Sequence, residues 1–413
     1  KMELEEGDPE NHAFSFMSER KDRNKRNCWL TYTNEKTHEI IRENIMRAPK
    51  YAGKIHGIGA RYCPSIEDKV VRFADKDRHQ LFVEPEGLDT TEMYVQGMST
   101  SMPIDVQYAF LRTIPGFEDV KMMRPAYAIE YDLLDPLQLY PTLEVIKLPG
   151  LYSAGQSNGT SGYEEAAAQG LVAGINAALK IQGKDPFILA RHEAYIGSLV
   201  DDLVTKGADE PYRMMTSRSE YRLILRQDNA DLRLTEKGHS IGLVGEERYA
   251  RFLERKKKYE EAMDYIRTQR FTPKEEINRA LESMGTAPLT TGTGADQILK
   301  RPEMTYRKMM ETLGCPSFDE EAVEEMEITV KYEGYIARQE AAVRKAARME
   351  NEKLPLDMDY LSLDGISTEA RQKMDKIRPL SLGQAARIPG VSPADISVLM
   401  VYVKQRKGKK GAE

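Results

Sequence analysis

The sequence predicts an α/β region that is followed by an all-helical C-terminal half. Up to about residue 160, short apolar segments of strand composition alternate with helical segments and turns. From about residue 186 onward, the segments are rich in Glu, Lys and Arg, follow helical periodicity and carry few strand signals. A chain of 413 residues has room for about two to four domains and a substantial core.

The predicted elements follow from the pattern of each segment. Strands are predicted at Cys28–Thr33, Val70–Phe73, Gln80–Val83 and Glu92–Val95, and a helix at Glu35–Arg47. The stronger helix predictions in the C-terminal half are Ile188–Leu203, Glu246–Gln269, Asp319–Glu352 and Thr368–Ile377. A last helix should begin after Ser392, a good N-cap residue, because Pro393 is favoured at the first helical position.

The bulk composition excludes several classes of protein. The net charge of −6 rules out a uniformly basic nucleic-acid binder but allows local basic patches. No apolar run is long enough to span a membrane, so no membrane partner is predicted. Cys28, Cys63 and Cys315 are far apart and lack metal-ligand spacing, which indicates a reduced cytoplasmic protein without a metal site. Because Lys1 rather than methionine comes first, we expect a fragment or a processed product.

The segment Leu151–Lys180 combines a strand, a glycine-rich turn and a helix. The apolar run Leu151–Ala154 predicts a buried strand, and Tyr163–Lys180 has helix composition. Between them, Gly159 and Gly162 lie among small polar residues. Free N–H groups and the helix dipole would meet at this turn, which favours an anion or cofactor site, although an ordinary strand–helix connection fits equally well. The helix also carries small residues on one face, Ala167, Gly170 and Gly174.

A second candidate is Gly59–Phe73, which contains a cysteine before a proline. Cys63 lies close in sequence to Arg61 and Lys69, and nearby cations lower the pKa of a thiol, so Cys63 is a candidate nucleophile. The alternative is a small residue that fills a tight turn.

A third candidate is the arginine-rich segment Glu210–Arg233. Arg218, Arg222 and Arg226 recur every four residues, so on a helix they would share one face. Arg213 and Arg233 flank them. Guanidinium groups among tyrosines suit phosphate contacts and base stacking. The alternative, internal pairing with neighbouring carboxylates, has equal support from the sequence; the carboxylates are Glu220, Asp228 and Asp231.

Several segments carry a family resemblance. They are RYCPSIEDKVVRFADKDRHQLFVEPEGLDT (61–90), YVQGMSTSMP (94–103), MRPAYAIEYD (123–132), AGQSNGTSGYEEAAAQG (154–170), EPYRMMTSRSEYRLILRQDNADLRL (210–234), KYEGYI (331–336) and PLSLGQAARIPGVSPADISVL (379–399). Together they resemble the tRNA uridine 5-carboxymethylaminomethyl modification enzymes, also called the glucose-inhibited division protein A family. The resemblance runs through nearly the whole chain in the family's order.

The resemblance implies a fold and an activity. The family has a glutathione-reductase-type FAD/NAD(P)-binding fold with an inserted NAD-binding domain, followed by an all-helical C-terminal domain. With a GTPase partner that supplies a methylene-tetrahydrofolate carbon, it adds an aminomethyl or carboxymethylaminomethyl group at C5 of wobble uridine 34 in tRNA. FAD and NADH are its cofactors. A cytoplasmic homodimer that contacts the tRNA anticodon arm is expected.

The resemblance also implies roles for individual residues. The candidate catalytic residue is Cys63, which would either add to C6 of uracil and activate C5 or serve as a thiol near the flavin. NAD is expected at Gly59, Ala60, Arg61, Tyr62, Cys63, Pro64, Ser65, Ile66, Glu67, Asp68, Lys69, Val70, Val71, Arg72 and Phe73. FAD is expected at Gln156, Asn158, Gly159, Thr160, Gly162 and Tyr163. tRNA phosphates are expected at Arg213, Arg218, Arg222, Arg226 and Arg233.

The departures from the family pattern leave alternatives open. The family opens with a strand–GxGxxG–helix that holds the FAD diphosphate, and nothing in this sequence matches it, so the first third of a full-length member is expected to be absent. We therefore expect residues 1–185 to be the later part of the FAD-binding domain with part of the NAD-binding domain, 186–330 a helical tRNA-binding region, and 331–413 a helical domain for the GTPase partner and tRNA. Such a chain would hold FAD weakly and be inactive alone. The alternatives are a tRNA- and partner-binding scaffold, or a folate- and FAD-dependent tRNA uracil-5 methyltransferase.

Overall fold

The chain folds into two compact units. The computed structural model describes residues 1–7, 13, 15–18, 26–55, 64–208, 210–355 and 357–410, with 406–410 described by their backbone alone. The first unit comprises Lys1–Leu139, Leu143–Ala178 and Ala208–Arg213, and the second comprises Tyr140–Thr142, Leu179–Gly207 and Met214–Glu413.

The first unit contains a four-stranded antiparallel sheet. Its strands are β1 (Glu3–Glu5), β2 (Cys28–Tyr32), β3 (Gln80–Pro85) and β4 (Met93–Gln96), which lie side by side in chain order. Trp29 of β2 faces Val83 of β3, which in turn faces Val95 of β4. Leu81 and Val83 are buried two residues apart, because alternate side chains of a strand point to the same face. The strand predictions near residues 28, 80 and 92 are confirmed.

Helices cover the core of the first unit. They are α1 (Glu35–Glu43), α2 (Ile66–Arg72), α3 (Ile104–Leu111) and α4 (Tyr163–Ile181), which begins in this unit. Asn34 and Thr37 form a reciprocal capping box at the start of α1. Ile41, Val70 and Phe110 are buried in one cluster with residues of the sheet.

The strand predicted at Val70–Phe73 is wrong, because these residues end helix α2. The Ser65 side chain accepts a hydrogen bond from the Asp68 N–H and so caps the helix. Ile66 and Val70, four residues apart, are both buried, which is the spacing of one helix face. The cap and this burial outweigh the strand preference of adjacent valines.

The second unit is almost entirely helical. Its helices are α5 (Tyr195–Lys206), α6 (Ala230–Ser240), α7 (Glu246–Thr268), α8 (Glu275–Ser283), α9 (Ala295–Leu299), α10 (Tyr306–Leu313), α11 (Glu320–Asn351), α12 (Thr368–Ile377), α13 (Leu382–Arg387) and α14 (Pro393–Lys410). A two-residue strand pair joins β5 (Arg270–Phe271) to β6 (Thr293–Gly294). The predicted helices at 246, 319 and 368 are confirmed. The helix predicted from Ile188 begins only at Tyr195, because residues 190–193 form a turn.

Two separate cores stabilise the second unit. The first includes Ile266, Ile298, Tyr306 and Met326, which are all fully buried. The second lies among the C-terminal helices and includes Met374 and Leu399, together with Tyr360 and Leu382. Helix α11 contributes Met326 to the first core, and its Met349 packs against the second.

The predicted succession of an α/β region and an all-helical region is confirmed. The predicted three-part domain division stays a prediction, and its boundary after residue 330 lies inside α11. In the part of the chain that the structure describes, no helix is both long enough and apolar enough to cross a membrane.

Candidate functional site

The turn that precedes helix α4 has a backbone shape that favours glycine at two positions. Gly155 and Gly159 have φ angles of 79° and 80°, a left-handed conformation that other residues adopt at a cost. The strand predicted at Leu151–Ala154 is wrong, because the segment makes one isolated bridge, from Tyr152 to Glu144, and Leu151 is half exposed. A single turn of 3-10 helix, Gly155–Asn158, follows it.

Two fully buried amide side chains hold this turn. Asn158 donates through Nδ2 to the Ser153 carbonyl, 2.9 Å away, and to Gln169 Oε1, 2.8 Å away. Gln169 Oε1 also accepts from the Gly155 N–H at 3.1 Å, and its Nε2 donates to Thr160 Oγ1 at 2.5 Å. Asn158 and Thr160 were predicted as cofactor contacts, but their side chains make these internal bonds. Gln169 was missed, and its place between the turn and α4 follows only from the fold.

Gly162 marks the N-terminus of α4. A Cβ atom at this position would overlap the Glu165 carboxylate and the Arg213 guanidinium, so the ends of these two side chains would have to shift if Gly162 were replaced. Arg213 Nη1 lies 3.3 Å from Glu165 Oε2, and its Nη2 lies 3.5 Å from Glu164. Glu165 is buried, whereas Tyr163 is 90% exposed. The helix end therefore presents its N–H groups next to a carboxylate that an arginine neutralises.

The structure brings Arg213 to this turn. The Tyr212 N–H donates to the Gly159 carbonyl at 3.0 Å. Gln156 is partly exposed and donates through Nε2 to the Asp132 carbonyl at 3.0 Å. We call the turn Gly155–Gly162, the first turn of α4 and Arg213 together the glycine-turn site.

The other arginines do not share the predicted helix face. Arg218 ends a short 3-10 turn, and residues 220–224 form turns, because Gln339 of α11 accepts from the backbone N–H groups of Leu223 and Ile224 at 3.2 Å each. The Ile224 and Leu225 N–H groups also donate to the Tyr221 carbonyl at 2.9 Å each, so the segment makes one turn here rather than a helix. Arg222 is exposed to solvent.

Arg226 and Arg233 bond within the second unit. Arg226 Nη2 lies 2.9 Å from Asp228 and 3.4 Å from Glu325. Arg233 donates to the carbonyls of Glu193 and Arg226. Arg226 therefore forms the kind of internal pair that was the alternative to an RNA contact, and the tRNA role of these arginines stays a prediction.

Glu325 beside Arg226 is expected to make stability depend on pH. Burial and the nearby Asp228 carboxylate raise the pKa of Glu325 to about 7. The folded state thus holds a proton that the unfolded state has lost above pH 4.5. The free energy of unfolding should fall by about 3 kcal/mol as pH rises from about 4.5 to about 7. Denaturant unfolding at several pH values measures this slope of the free energy of unfolding against pH.

Two variants test the origin of that slope. Glu325→Gln should reduce the loss of stability between pH 4.5 and 7, because an amide does not titrate. Glu311→Gln replaces a carboxylate of α10 whose side chain is 62% exposed, and it should leave the slope unchanged. An equal slope in wild type and Glu325→Gln would contradict the assignment to Glu325.

A buried ionic cluster surrounds Arg191, a residue that sequence reasoning missed. Its guanidinium is 7% exposed and lies 2.7 Å from Asp202, 3.1 Å from Asp201 and 2.9 Å from Glu220. Against the effect of burial, these carboxylates raise the pKa of Arg191. Asp201 also binds Arg387 of α13 at 2.7 Å. The cluster therefore ties α5 to α13, and nothing local in the sequence signals it.

The predicted NAD segment is described from Pro64 onward; Gly59, Ala60, Arg61, Tyr62 and Cys63 lie outside the described residues. Glu67 is buried and accepts through Oε1 from the Ser101 N–H and hydroxyl. Asp68 accepts from Lys50 and Tyr51. Arg72 and Phe73 are exposed. The NAD assignment and the catalytic role of Cys63 stay predictions.

Asp68 and Tyr51, which are hydrogen-bonded to each other, both have shifted pKa values. Burial and the hydrogen bond to Asp68 raise the pKa of Tyr51 to about 12. Although burial acts to raise it, the bonds from Lys50 and Tyr51 hold the pKa of Asp68 below its usual value. The Lys50 and Tyr51 side chains therefore bind Asp68 and hold α2 within the first unit.

Comparison with known proteins places the whole chain in one family. Residues 1–185 match the model "Glucose inhibited division protein A". Residues 246–340 match "tRNA modifying enzyme MnmG/GidA C-terminal helical domain", and 342–413 match "tRNA modifying enzyme MnmG/GidA C-terminal helical bundle".

Similar proteins agree with these matches. The tRNA uridine 5-carboxymethylaminomethyl modification enzyme MnmG of Caldicellulosiruptor saccharolyticus is 55% identical over 99% of this chain and 66% of that protein. The enzyme of the same name from Enterococcus faecalis is 56% identical over 98% of this chain and 65% of that protein. Aquifex aeolicus GidA, in its form II crystal, is 45% identical, with a TM-score of 0.85 over 98% of this chain and 64% of that chain. This chain thus spans about two thirds of the length of its relatives. It belongs to the MnmG/GidA family of tRNA uridine modification enzymes.

Proposed function

We propose that this chain serves FAD- and NADH-dependent modification of tRNA, in which an aminomethyl or carboxymethylaminomethyl group is added at C5 of wobble uridine 34. Support comes from its relatives in Caldicellulosiruptor saccharolyticus and Enterococcus faecalis, which are named as tRNA uridine 5-carboxymethylaminomethyl modification enzymes. A GTPase partner would supply the methylene-tetrahydrofolate carbon, with glycine or ammonia as the amine. A homodimer, a cytoplasmic location and contact of residues 331–413 with the GTPase partner and the anticodon arm belong to the same proposal.

The glycine-turn site is the observation that carries the proposal. Its residues fit the ring end of a flavin, because the N-terminal N–H groups of α4 stand beside the Arg213 guanidinium. FAD, when bound, would supply the transfer of hydride equivalents from NADH. The chain's own part is electrostatic: the α4 dipole, Arg213 and the Gln156 amide would stabilise negative charge on the reduced ring.

Two further roles complete the proposal. We assign NADH to residues 59–73, where Arg72 offers an exposed cation for a phosphate. We assign Cys63 the nucleophilic addition to C6 of uracil, which makes C5 reactive toward the incoming carbon. Both rest on the family resemblance and on the residue types.

The nucleoside composition of tRNA tests the function. In a strain that lacks the gene, mass spectrometry of digested tRNA should show loss of the wobble aminomethyl-type uridines. Loss of 5-methyluridine instead would refute the proposal and support the folate- and FAD-dependent methyltransferase. Complementation with Cys63→Ser should fail if Cys63 is the nucleophile, whereas complementation with Cys28→Ser should succeed.

A second candidate function is a scaffold that binds tRNA and a partner without flavin. The absorbance spectrum of the purified chain separates the two candidates. Stoichiometric flavin would contradict the scaffold, and absence of flavin binding at any FAD concentration would support it.

Arg222 is the arginine of the predicted tRNA set for which we expect a direct effect on RNA. Because it is exposed, Arg222→Glu should weaken tRNA binding by roughly tenfold and lower its salt dependence. Arg279→Glu on α8, where the side chain is 73% exposed, is the matched control and should change affinity far less. Equal tRNA affinities of both variants and wild type in a filter-binding titration would contradict a contact between Arg222 and tRNA.

A further inference from the structure

We propose that Gln169 is the positioning residue of the glycine-turn site: its single amide fixes both ends of the turn that carries Gln156. The expected effect on FAD binding rests on the proposed flavin function, whereas the hydrogen bonds of Gln169 do not depend on it. Gln169 is 0% exposed, lies in the second turn of α4 and reaches residues 155 and 160 at once.

The bonding of Gln169 uses both polar atoms of the amide. Oε1 accepts from the Gly155 N–H and from Asn158 Nδ2, and Nε2 donates to Thr160 Oγ1 and to the Glu165 carbonyl of its own helix. Each polar atom thus makes two hydrogen bonds, which is the full capacity of a primary amide. Because all of these groups are buried, water cannot replace any bond that is lost.

The backbone of the turn needs such a restraint. Gly155 and Gly159 remove the side-chain limits on φ at two positions, so the turn has more conformations open to it than an ordinary one. Thr160 Oγ1 donates its proton to the Gly155 carbonyl at 2.8 Å, so it can only accept from Gln169. The amide orientation is therefore determined, with nitrogen toward Thr160 and oxygen toward Gly155.

This orientation predicts how substitutions differ. Gln169→Leu fills similar space but loses all four bonds. Gln169→Glu keeps the two acceptor bonds and sets a carboxylate oxygen against the Glu165 carbonyl, which has no proton, and against Thr160 Oγ1, whose one proton goes to the Gly155 carbonyl. Thr160→Val removes one end of the restraint and leaves Gln169 itself intact.

Hydrogen exchange of the free chain tests the positioning without any ligand. In Gln169→Leu, amides in residues 153–162 should exchange about tenfold faster than in wild type. Gln169→Glu and Thr160→Val should lie between the two. Asn176→Leu is the control: Asn176 is also buried in α4, but it lies seven residues, about 10 Å, further along the helix. It should leave the exchange of residues 153–162 unchanged.

A flavin titration tests the consequence. FAD is titrated to about 1 mM, so that weak binding is measured, and flavin fluorescence reports the occupied fraction. Gln169→Leu should raise the FAD dissociation constant about tenfold, Gln169→Glu by less, and Asn176→Leu should not change it. The graded series separates positioning from a general loss of structure, which would affect Asn176→Leu as well.

The exchange and titration results test the positioning role, its link to flavin and the proposed function separately. Unchanged exchange in both Gln169 variants and in Thr160→Val would overturn the positioning role. Faster exchange with an unchanged FAD dissociation constant would overturn the link between the turn and flavin. If wild type itself fails to bind FAD, the proposed function fails, while the exchange data still decide whether Gln169 holds the turn.

Discussion

Replacing Arg191 by methionine is expected to lower the free energy of unfolding by about 3–5 kcal/mol. The Arg191 guanidinium is buried against Asp202, which is itself 1% exposed, and against Asp201. Methionine matches much of the arginine volume but has no charge, so two carboxylates lose a buried cationic partner. Urea unfolding followed by circular dichroism measures the change.

The control for this prediction is an arginine in water. Arg279→Met removes a pair with Glu275 in which both side chains are more than 70% exposed, and it should cost less than about 0.5 kcal/mol.

The loss of stability in Arg191→Met should also become smaller at low pH. Lys206 and Arg191 hold the pKa of Asp202 below 3.8 although burial acts to raise it, so the stability from this carboxylate is present above pH 3.8 and is lost as pH falls through the folded-state pKa. Equal stabilities of Arg191→Met and wild type at pH 7 would contradict the prediction.

Adding one methyl group at Gly197 is expected to cost about 2–3 kcal/mol. A Cβ atom there would approach the Leu189 carbonyl oxygen to 2.6 Å and the Ala190 carbonyl more closely still. Both are backbone atoms, which cannot turn aside as a side chain can. Helix α5 would have to move as a whole, and its Asp201 and Asp202 would move away from Arg191. Thermal unfolding of Gly197→Ala measures the cost.

The matched control changes the same residue type in another helix. Gly174 lies within α4, is exposed, and has open space where a Cβ would stand. Gly174→Ala should therefore stabilise the chain by up to about 1 kcal/mol, because alanine favours the helix more than glycine does. Opposite signs for the two variants are the expected result. A stabilising Gly197→Ala would show that α5 does not pack as closely as described.

Elements with local signals were predictable from the sequence. Helix α14 begins at Pro393, and Ser392 Oγ accepts from the Asp395 N–H as its N-cap, as the residue types predicted. Helix α4 begins at Tyr163, directly after Gly162, as expected for a glycine turn that leads into a helix. In both cases the residues that determine the structure are neighbours in the chain.

The failures have a common physical cause, which is an interaction with a distant residue. Residues 220–224 form turns instead of the predicted helix, at the place where Gln339, more than a hundred residues away in sequence, accepts from two of their backbone N–H groups. In the candidate site, the glycines were identifiable from their pattern. The places of Gln169 and Arg213 at the turn were not, because their contacts with it arise only when α4 and residues 208–213 fold against it.

Helix α11 has a consequence for how the second unit unfolds. At 32 residues it is about 48 Å long, and each end is held by a different core. Exposed helix in water is marginally stable by itself, so the middle of α11, which includes the exposed Tyr332 and Tyr335, depends on its packed ends and on the bonds of Gln339 with residues 220–224. Loss of either core would let α11 unwind from that end toward the core that remains. We therefore expect the two cores to unfold in one cooperative transition, although they have no buried residue in common.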